Sequence, residues 1–127
     1  MSAVVRWGVV LVDFDPTIGH EQAGVRRALV VSRDPFHRSG MATVCLLSAR
    51  APRYPAEVAI PAGHAGQTLD ALILCHQLRT IDLRRVSALE IGGQQQVVTD
   101  TGVRSAVRRA LARQLGLDLT AGLDGAD

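Results

Sequence analysis

Val9-Val10-Leu11-Val12-Asp13-Phe14, followed by Asp15-Pro16-Thr17-Ile18-Gly19, decides the fold class. The first six residues form an apolar, β-branched run suited to a pleated, buried surface. Pro16 then fixes φ and Gly19 supplies permissive backbone, so the stretch reads as a core strand that ends in a turn. Outward from it, a polar stretch over residues 20–27 leads into Ala28-Leu29-Val30-Val31-Ser32, which Arg33-Asp34-Pro35 ends. Residues 42–48 form a third apolar run, too short for a typical helix. Glu57-Val58-Ala59-Ile60 alternates polar and apolar, Ala71-Leu72-Ile73-Leu74-Cys75 reads as a fifth strand, and residues 86–91 as a weaker sixth.

Only the C-terminal part carries a helical period. Over residues 100–115, Val103, Val107, Ala110, Leu111 and Leu115 fall on one stripe, while Arg104, Arg109 and Arg113 lie away from it. Thr99 or Asp100 can cap the start and Gly116 can end it. The expected class is mainly β with α (α+β): a small, strongly bent sheet or barrel of five to six strands with one helix packed against it. One domain over residues 1–116 is expected, with 117–127 as a frayed tail.

A chain of 127 residues, 47% hydrophobic and 20% charged, is an ordinary single-domain mixture. No run reaches the roughly 18–20 apolar residues of a membrane span, and the first seven residues lack the apolar segment of a secretory signal. No membrane association and a cytoplasmic location are therefore expected. Cys45 and Cys75 are isolated within apolar runs, with no Cys-x-x-Cys pair and no metal-ligand spacing, and read as reduced core thiols. No metal or other cofactor is expected. The formal charge of +2 does not announce a nucleic-acid binder, but all 14 cationic side chains are Arg, so each can grip a phosphate through two parallel hydrogen bonds. Arg26, Arg27, Arg33, Arg38, Arg50 and Arg53 fall in expected loops, whereas Asp118, Asp124 and Asp127 lie in the tail. A locally basic face and a scattered, solvated set of Arg are both consistent with this distribution.

Four motifs occur in order: Val12 onward through Asp13-Phe14-Asp15-Pro16, His20-Glu21-Gln22-Ala23-Gly24 and Val25-Arg26-Arg27 into the second strand; residues 42–48 ending in Ser48; Tyr54-Pro55-Ala56-Glu57-Val58; and Gln77-Leu78-Arg79-Thr80-Ile81-Asp82. Together they resemble the MazF/PemK toxins, in which a strand ends in Asp-x-x-Pro, a loop carries Gly-Ser-Glu-Gln, Arg-Pro opens the next strand, and Tyr-Pro-Phe-Glu-Val and Gln-Ile-Arg-Thr-Ile-Asp follow. The resemblance covers roughly residues 6 to 115. It implies an SH3-like barrel that dimerises and cleaves single-stranded RNA to a 2′,3′-cyclic phosphate and a 5′-hydroxyl. It also implies an antitoxin partner with a disordered, acidic C-terminal segment. The family's active-site Arg falls on Arg26 and its hydroxyl on Ser48. The chain departs from the pattern at Arg27, in place of Pro, at His20, at His76, in place of an acid before Gln77, and at Trp7-Gly8.

Cutting RNA through its own 2′-hydroxyl needs an aligned phosphate, a route for the proton and positive charge where the phosphorane gathers negative charge. Arg26 and Ser48 suit that task as electrostatic stabiliser and hydroxyl donor, with Arg27 the competing guanidinium. Glu21 is the candidate base, with pairing to an Arg as its structural alternative. Gln22, Arg27, Gln77 and Arg79 are the candidate RNA contacts, while for Gln77 and Arg79 a turn network with Thr80 and Asp82 stays equally open. Four histidines, His20, His37, His64 and His76, admit a histidine pair without proving one. Two other classes remain: a non-catalytic toxin of the same fold that binds a protein such as gyrase, and an RNA-binding barrel without cleavage.

Overall fold

The computed structural model describes residues 4–15, 18–19 and 24–117. Six antiparallel strands form one sheet: β1 (Val9–Asp13), β2 (Val25–Val30), β3 (Met41–Ser48), β4 (Glu57–Ile60), β5 (Ala71–Asp82) and β6 (Val86–Ala88), in the spatial order β4-β5-β3-β2-β1-β6. A small hairpin of β7 (Glu90–Ile91) and β8 (Gln94–Gln95) turns at Gly92-Gly93, and α1 (Thr101–Leu115) closes the chain.

Alternate side chains along each strand enter two separate cores, as the period of two requires. Val9, Leu29, Cys45, Leu47, Ile73 and Cys75 belong to one, together with Val58 and Ile60 and with Val103, Val107 and Ala110 of the helix. Val10, Val12, Ala28, Val30, Val44, Leu46 and Leu74 belong to the other. No α-helix among the described residues lies over that second face. Among the described residues, only Val4, Phe14 and Leu83 join the strands there, yet Val10, Val12, Val30 and Val44 are completely buried. A face buried without a covering layer must be buried by its own sheet, so the six strands are rolled round it in the SH3-like manner. Pairing nonetheless stops at β4 and β6, which leaves the roll open along one seam.

The bend comes from β5. Cys45 of β3 faces Leu78, but the next residue, Leu46, faces Leu74. Cys75, His76 and Gln77 are thus extra in one strand, a wide irregularity that lets a 12-residue strand serve both ends of the sheet. Sequence reading ends this strand at Cys75, because its second half is polar; pairing with residues 41–45 carries it on to Asp82.

The helix is capped by Asp100, whose carboxylate accepts the Val103 N–H at 2.9 Å, and ends at Gly116 in the left-handed conformation. A lone 15-residue helix is marginal in water, so docking of its Val103–Val107–Ala110 stripe stabilises it. Four expectations change. Leu115 lies 56% exposed beyond the sheet, and Arg104, expected on the outer side, is half-buried against Trp7. Residues 34–39, expected as loop, make a 3-10 turn with Pro35 near its start. Residues 86–91, expected as one strand, divide into β6 and the first arm of the hairpin. Cys45 and Cys75 are buried free thiols, as expected. The tail beyond residue 117 lies outside the described residues, and among them no helix is long and apolar enough to cross a membrane.

Candidate active site

Apolar content places the start of the second strand at Ala28, but its pairing begins three residues earlier. β1 offers partners as far as Asp13, so Val25 pairs with Asp13, Arg26 with Val12 and Arg27 with Leu11. Both arginines are therefore held on a strand. Alternation points Arg26 to the rolled face and Arg27 to the helix side. On the other flank of β2, Ala28 pairs with Leu46; carried two residues further, that register sets Arg26 opposite Ser48, the last residue of β3. A cleft of about 390 Å³ opens where this pairing ends, lined by Arg26, Arg27, Ser48, Leu11 and Leu47 and by Gln67, Thr68 and Leu69 from the loop before β5.

The two guanidiniums have different surroundings. Arg27 is half-buried and donates from Nη1 to the Gly66 carbonyl at 3.1 Å, which ties the strand to the far wall of the cleft. Gly66 has φ +76°, and a Cβ there would meet Ile91 Cδ1 at 2.7 Å, so the carbonyl that Arg27 grips sits where no side chain fits. The same wall is stiffened by Gln67, 7% exposed, whose amide donates to the Ala65 carbonyl at 3.1 Å. Arg26 is exposed. The Ser48 hydroxyl, half-buried, makes no hydrogen bond among the described residues and stays available to a ligand.

Behind Ser48 the chain is anchored by a buried carboxylate. Glu57 Oε1 accepts the N–H groups of Arg53 at 2.6 Å and Tyr54 at 3.0 Å, and Oε2 accepts the His76 Nε2–H at 2.9 Å; Arg50 adds an ion pair through both terminal nitrogens. Burial alone would push the carboxyl's pKa up. The Arg50 pair and the other donors outweigh it and hold the group well below the usual carboxylate range. The Tyr54 ring packs edge-on against His76, with centroids 4.7 Å apart. Arg50 lies two residues beyond Ser48, so this network fixes the segment that leaves β3. The motif Tyr54-Pro55-Ala56-Glu57-Val58 is legible in the sequence, but its link to Arg50 and His76 is not.

The remaining candidates are dispersed. Gln77 sits half-buried in the irregular part of β5, outside the cleft. Arg79 places its guanidinium 5.5 Å from the Phe14 ring centroid, close to the end of β1 but also outside the cleft. The end of their motif is structural: Thr80 bonds Thr43 hydroxyl to hydroxyl at 2.7 Å, and Asp82 caps the turn of residues 83–85 through the Arg84 N–H at 2.8 Å. Glu21, Gln22 and His20 lie outside the described residues. His37 is spoken for. Its Nδ1 must donate to the Val4 carbonyl at 2.9 Å, so its Nε2, 2.7 Å from Ser32 Oγ, accepts that hydroxyl when the ring is neutral. Sequence reading missed Gln67 and Thr68, which lie between the fourth and fifth apolar runs and belong to none of the four motifs.

Residues 5–115 match the family model of PemK-like, MazF-like toxins of type II toxin-antitoxin systems. Endoribonuclease EndoA of Bacillus subtilis is 38% identical over 87 residues, covering 66% of this chain and 75% of that protein. The endoribonuclease toxin MazF of Escherichia coli is 37% identical over 87 residues, 66% and 73% of the two chains. Among solved structures, MazF of Deinococcus radiodurans superposes with a TM-score of 0.74 at 31% identity, over 92% of this chain and all (100%) of that one. The same organism's MazE-MazF complex gives 0.69 at 25% identity, over 93% and 100%.

Proposed function

The chain belongs to the family of PemK-like, MazF-like toxins of type II toxin-antitoxin systems, and on that premise we propose that it is an endoribonuclease cutting single-stranded RNA in the cleft between Arg26 and Ser48. What carries the reading is the convergence, at the ends of two neighbouring strands, of an exposed guanidinium and an unbonded hydroxyl. The RNA's 2′-oxygen passes its proton to Glu21 and attacks the adjacent phosphorus, the bond to the 5′-oxygen breaks, that oxygen takes a proton from solvent water, and a 2′,3′-cyclic phosphate and a 5′-hydroxyl result. No metal is needed for that sequence of bonds. Arg26 places its fork against the phosphorane oxygens and the departing 5′-oxygen, in electrostatic and hydrogen-bonding contact. Its own deprotonation plays no part, because a guanidinium holds its proton in any protein environment. Ser48 donates to a non-bridging oxygen. Arg27, tied to Gly66, shapes the wall and adds charge without being the principal group. Glu21 and Gln22, just before β2, complete the set as proton acceptor and RNA ligand, and Gln77 and Arg79 contact RNA farther out.

In the cell we place the protein in the cytoplasm as a homodimer, the commonest closed assembly, with the RNA groove running across its two-fold axis. Its regulator is an antitoxin whose acidic, disordered segment folds along that groove and sets carboxylates where phosphates otherwise sit. Incubation of the purified protein with a long single-stranded RNA in EDTA tests the activity: new 5′-hydroxyl ends are expected. Intact RNA after prolonged incubation with folded protein rejects the proposal.

A further inference from the structure

Away from the cleft, on the helix side, three arginines gather on Trp7, just before β1. The guanidinium carbons of Arg6, Arg104 and Arg108 lie 5.2, 5.3 and 5.2 Å from the Trp7 ring centroid. Trp7 is only 5% exposed and holds a φ of +69°, a conformation that bulky side chains avoid. The indole thus serves as a common surface on which three cations stack. Mutual repulsion is evident in Arg6, whose pKa is lowered by burial and then by the charges of Arg108, Arg33 and Arg104, with Asp34 acting in the opposite sense. The Asp34 carboxylate accepts the Arg6 backbone N–H on Oδ1 at 2.8 Å and sits beside His37, with Nδ1 at 3.8 Å. Arg104 Nε donates to the Val98 carbonyl at 2.7 Å. The Arg6 Nε is buried without a partner, and the Arg108 side chain is exposed and makes no hydrogen bond among the described residues.

Stacking fixes these guanidiniums, and the Arg108 fork and the Arg6 Nε have no hydrogen-bond partner among the described residues, which is the arrangement an anion with several oxygens fills. We infer that Arg6, Arg104 and Arg108 form a second phosphate site, one that holds the backbone of the RNA at a point beyond the cutting cleft. The inference rests on the reading of the substrate as RNA. Position favours that ligand. Trp7 stands two residues before β1, the strand whose Leu11 pairs with Arg27 of the cleft. A polynucleotide already held in the cleft carries a charge on every residue and presents one here at high effective concentration. The enclosed indole offers no open ring for a base, so the contact is to backbone alone and independent of sequence.

Arg108→Glu, at an exposed position and matched to the wild type in fold by thermal unfolding, tests the site, and the double variant Arg6→Gln/Arg108→Gln tests its buried half. The probe is a single-stranded RNA carrying 2′-O-methyl groups throughout, titrated over a range of salt. Each lost phosphate contact should reduce the slope of log K against log salt by about 0.7, which corresponds to roughly eightfold weaker binding at about 50 mM salt relative to 1 M. On cleavable RNA, KM should rise by a similar factor with kcat unchanged, because the contact lies away from the reacting atoms. Unchanged affinity, slope and KM in Arg108→Glu overturn the inference. So does a loss confined to a glutamate-rich peptide with RNA binding intact, which assigns the patch to a protein partner. Wild-type protein that binds the analogue through this patch but cuts nothing overturns the proposed activity and leaves the site standing. Wild-type protein that cuts RNA while Arg108→Glu matches it in every measure does the reverse.

Discussion

Replacing Glu57 tests how the floor behind Ser48 is held. The carboxylate receives two backbone N–H bonds, one imidazole N–H and an arginine fork, and its side chain is fully buried (0% exposed) while that of Arg50 is 17% exposed. Glu57→Ala strands all four donors and leaves the Arg50 charge without its partner. Breaking a buried ion pair from one side costs about 3–5 kcal/mol, and the partial exposure of Arg50 puts the expectation near the lower end. In a domain of this size that corresponds to a fall in Tm of about 10 °C. Glu57→Gln keeps an oxygen toward Arg53 and Tyr54 but loses the charge opposite Arg50, so about 1–3 kcal/mol is expected. The pH dependence separates charge from shape. The folded carboxyl has a lower pKa than the unfolded one, so its contribution is fully present above the unfolded value of about 4.3 and is lost as pH falls toward the lower folded value. Urea unfolding at pH 7 and again between about pH 5 and 2 should therefore show the wild type losing stability more steeply than Glu57→Gln. Equal stability at pH 7 and parallel acid limbs would refute the reasoning.

Ser48→Ala should slow single-turnover cleavage by roughly ten- to a thousandfold, the loss of one transition-state donor, and Ser48→Thr should be tolerated; an unchanged rate in the alanine variant removes Ser48 from the site. Arg27→Ala should lower stability by about 1 kcal/mol, since the Gly66 carbonyl loses its donor, and should reduce cleavage less than the same change at Arg26; chemical unfolding and initial rates measure the two effects. A substrate with a single 2′-deoxy sugar at the cut position should survive intact, and cutting there at the normal rate would mean that the attacking oxygen comes from elsewhere. Asp100→Ala should cost about 1 kcal/mol through the exposed Val103 N–H, read as a lower midpoint in urea, with cleavage at the native rate while folded.

The strands were legible in the sequence wherever an apolar run or an alternation marks a buried face. Val9–Asp13, Met41–Ser48 and Glu57–Ile60 emerge close to the expected bounds because their apolar runs or alternation announce them. Strand ends with polar side chains were not legible. Arg26 and Arg27 belong to β2 through pairing with β1, and Gln77 to Asp82 belong to β5 through pairing beyond an irregularity; neither carries an apolar period. The pairing of Arg26 with Ser48's strand end came from motif order. Spacing alone says nothing of which residues a roll of strands brings together. For the same reason, the junction of Arg50, Glu57 and His76 and the gathering of Arg6, Arg104 and Arg108 on Trp7 were invisible: their members lie 7 and 19 residues from Glu57 in the first case and on opposite ends of the chain in the second.

Wild-type protein and Arg26→Ala, matched in fold by thermal unfolding, should be compared in EDTA on one long single-stranded RNA, with the product ends mapped under single-turnover conditions. The wild type should release fragments with 2′,3′-cyclic phosphate and 5′-hydroxyl ends, and Arg26→Ala should fall by at least about a hundredfold at unchanged stability, as removal of a principal transition-state charge requires. Cleavage by Arg26→Ala at the wild-type rate, or its loss in Arg27→Ala alone, would contradict the assignment of the cutting centre to the Arg26 and Ser48 strand ends.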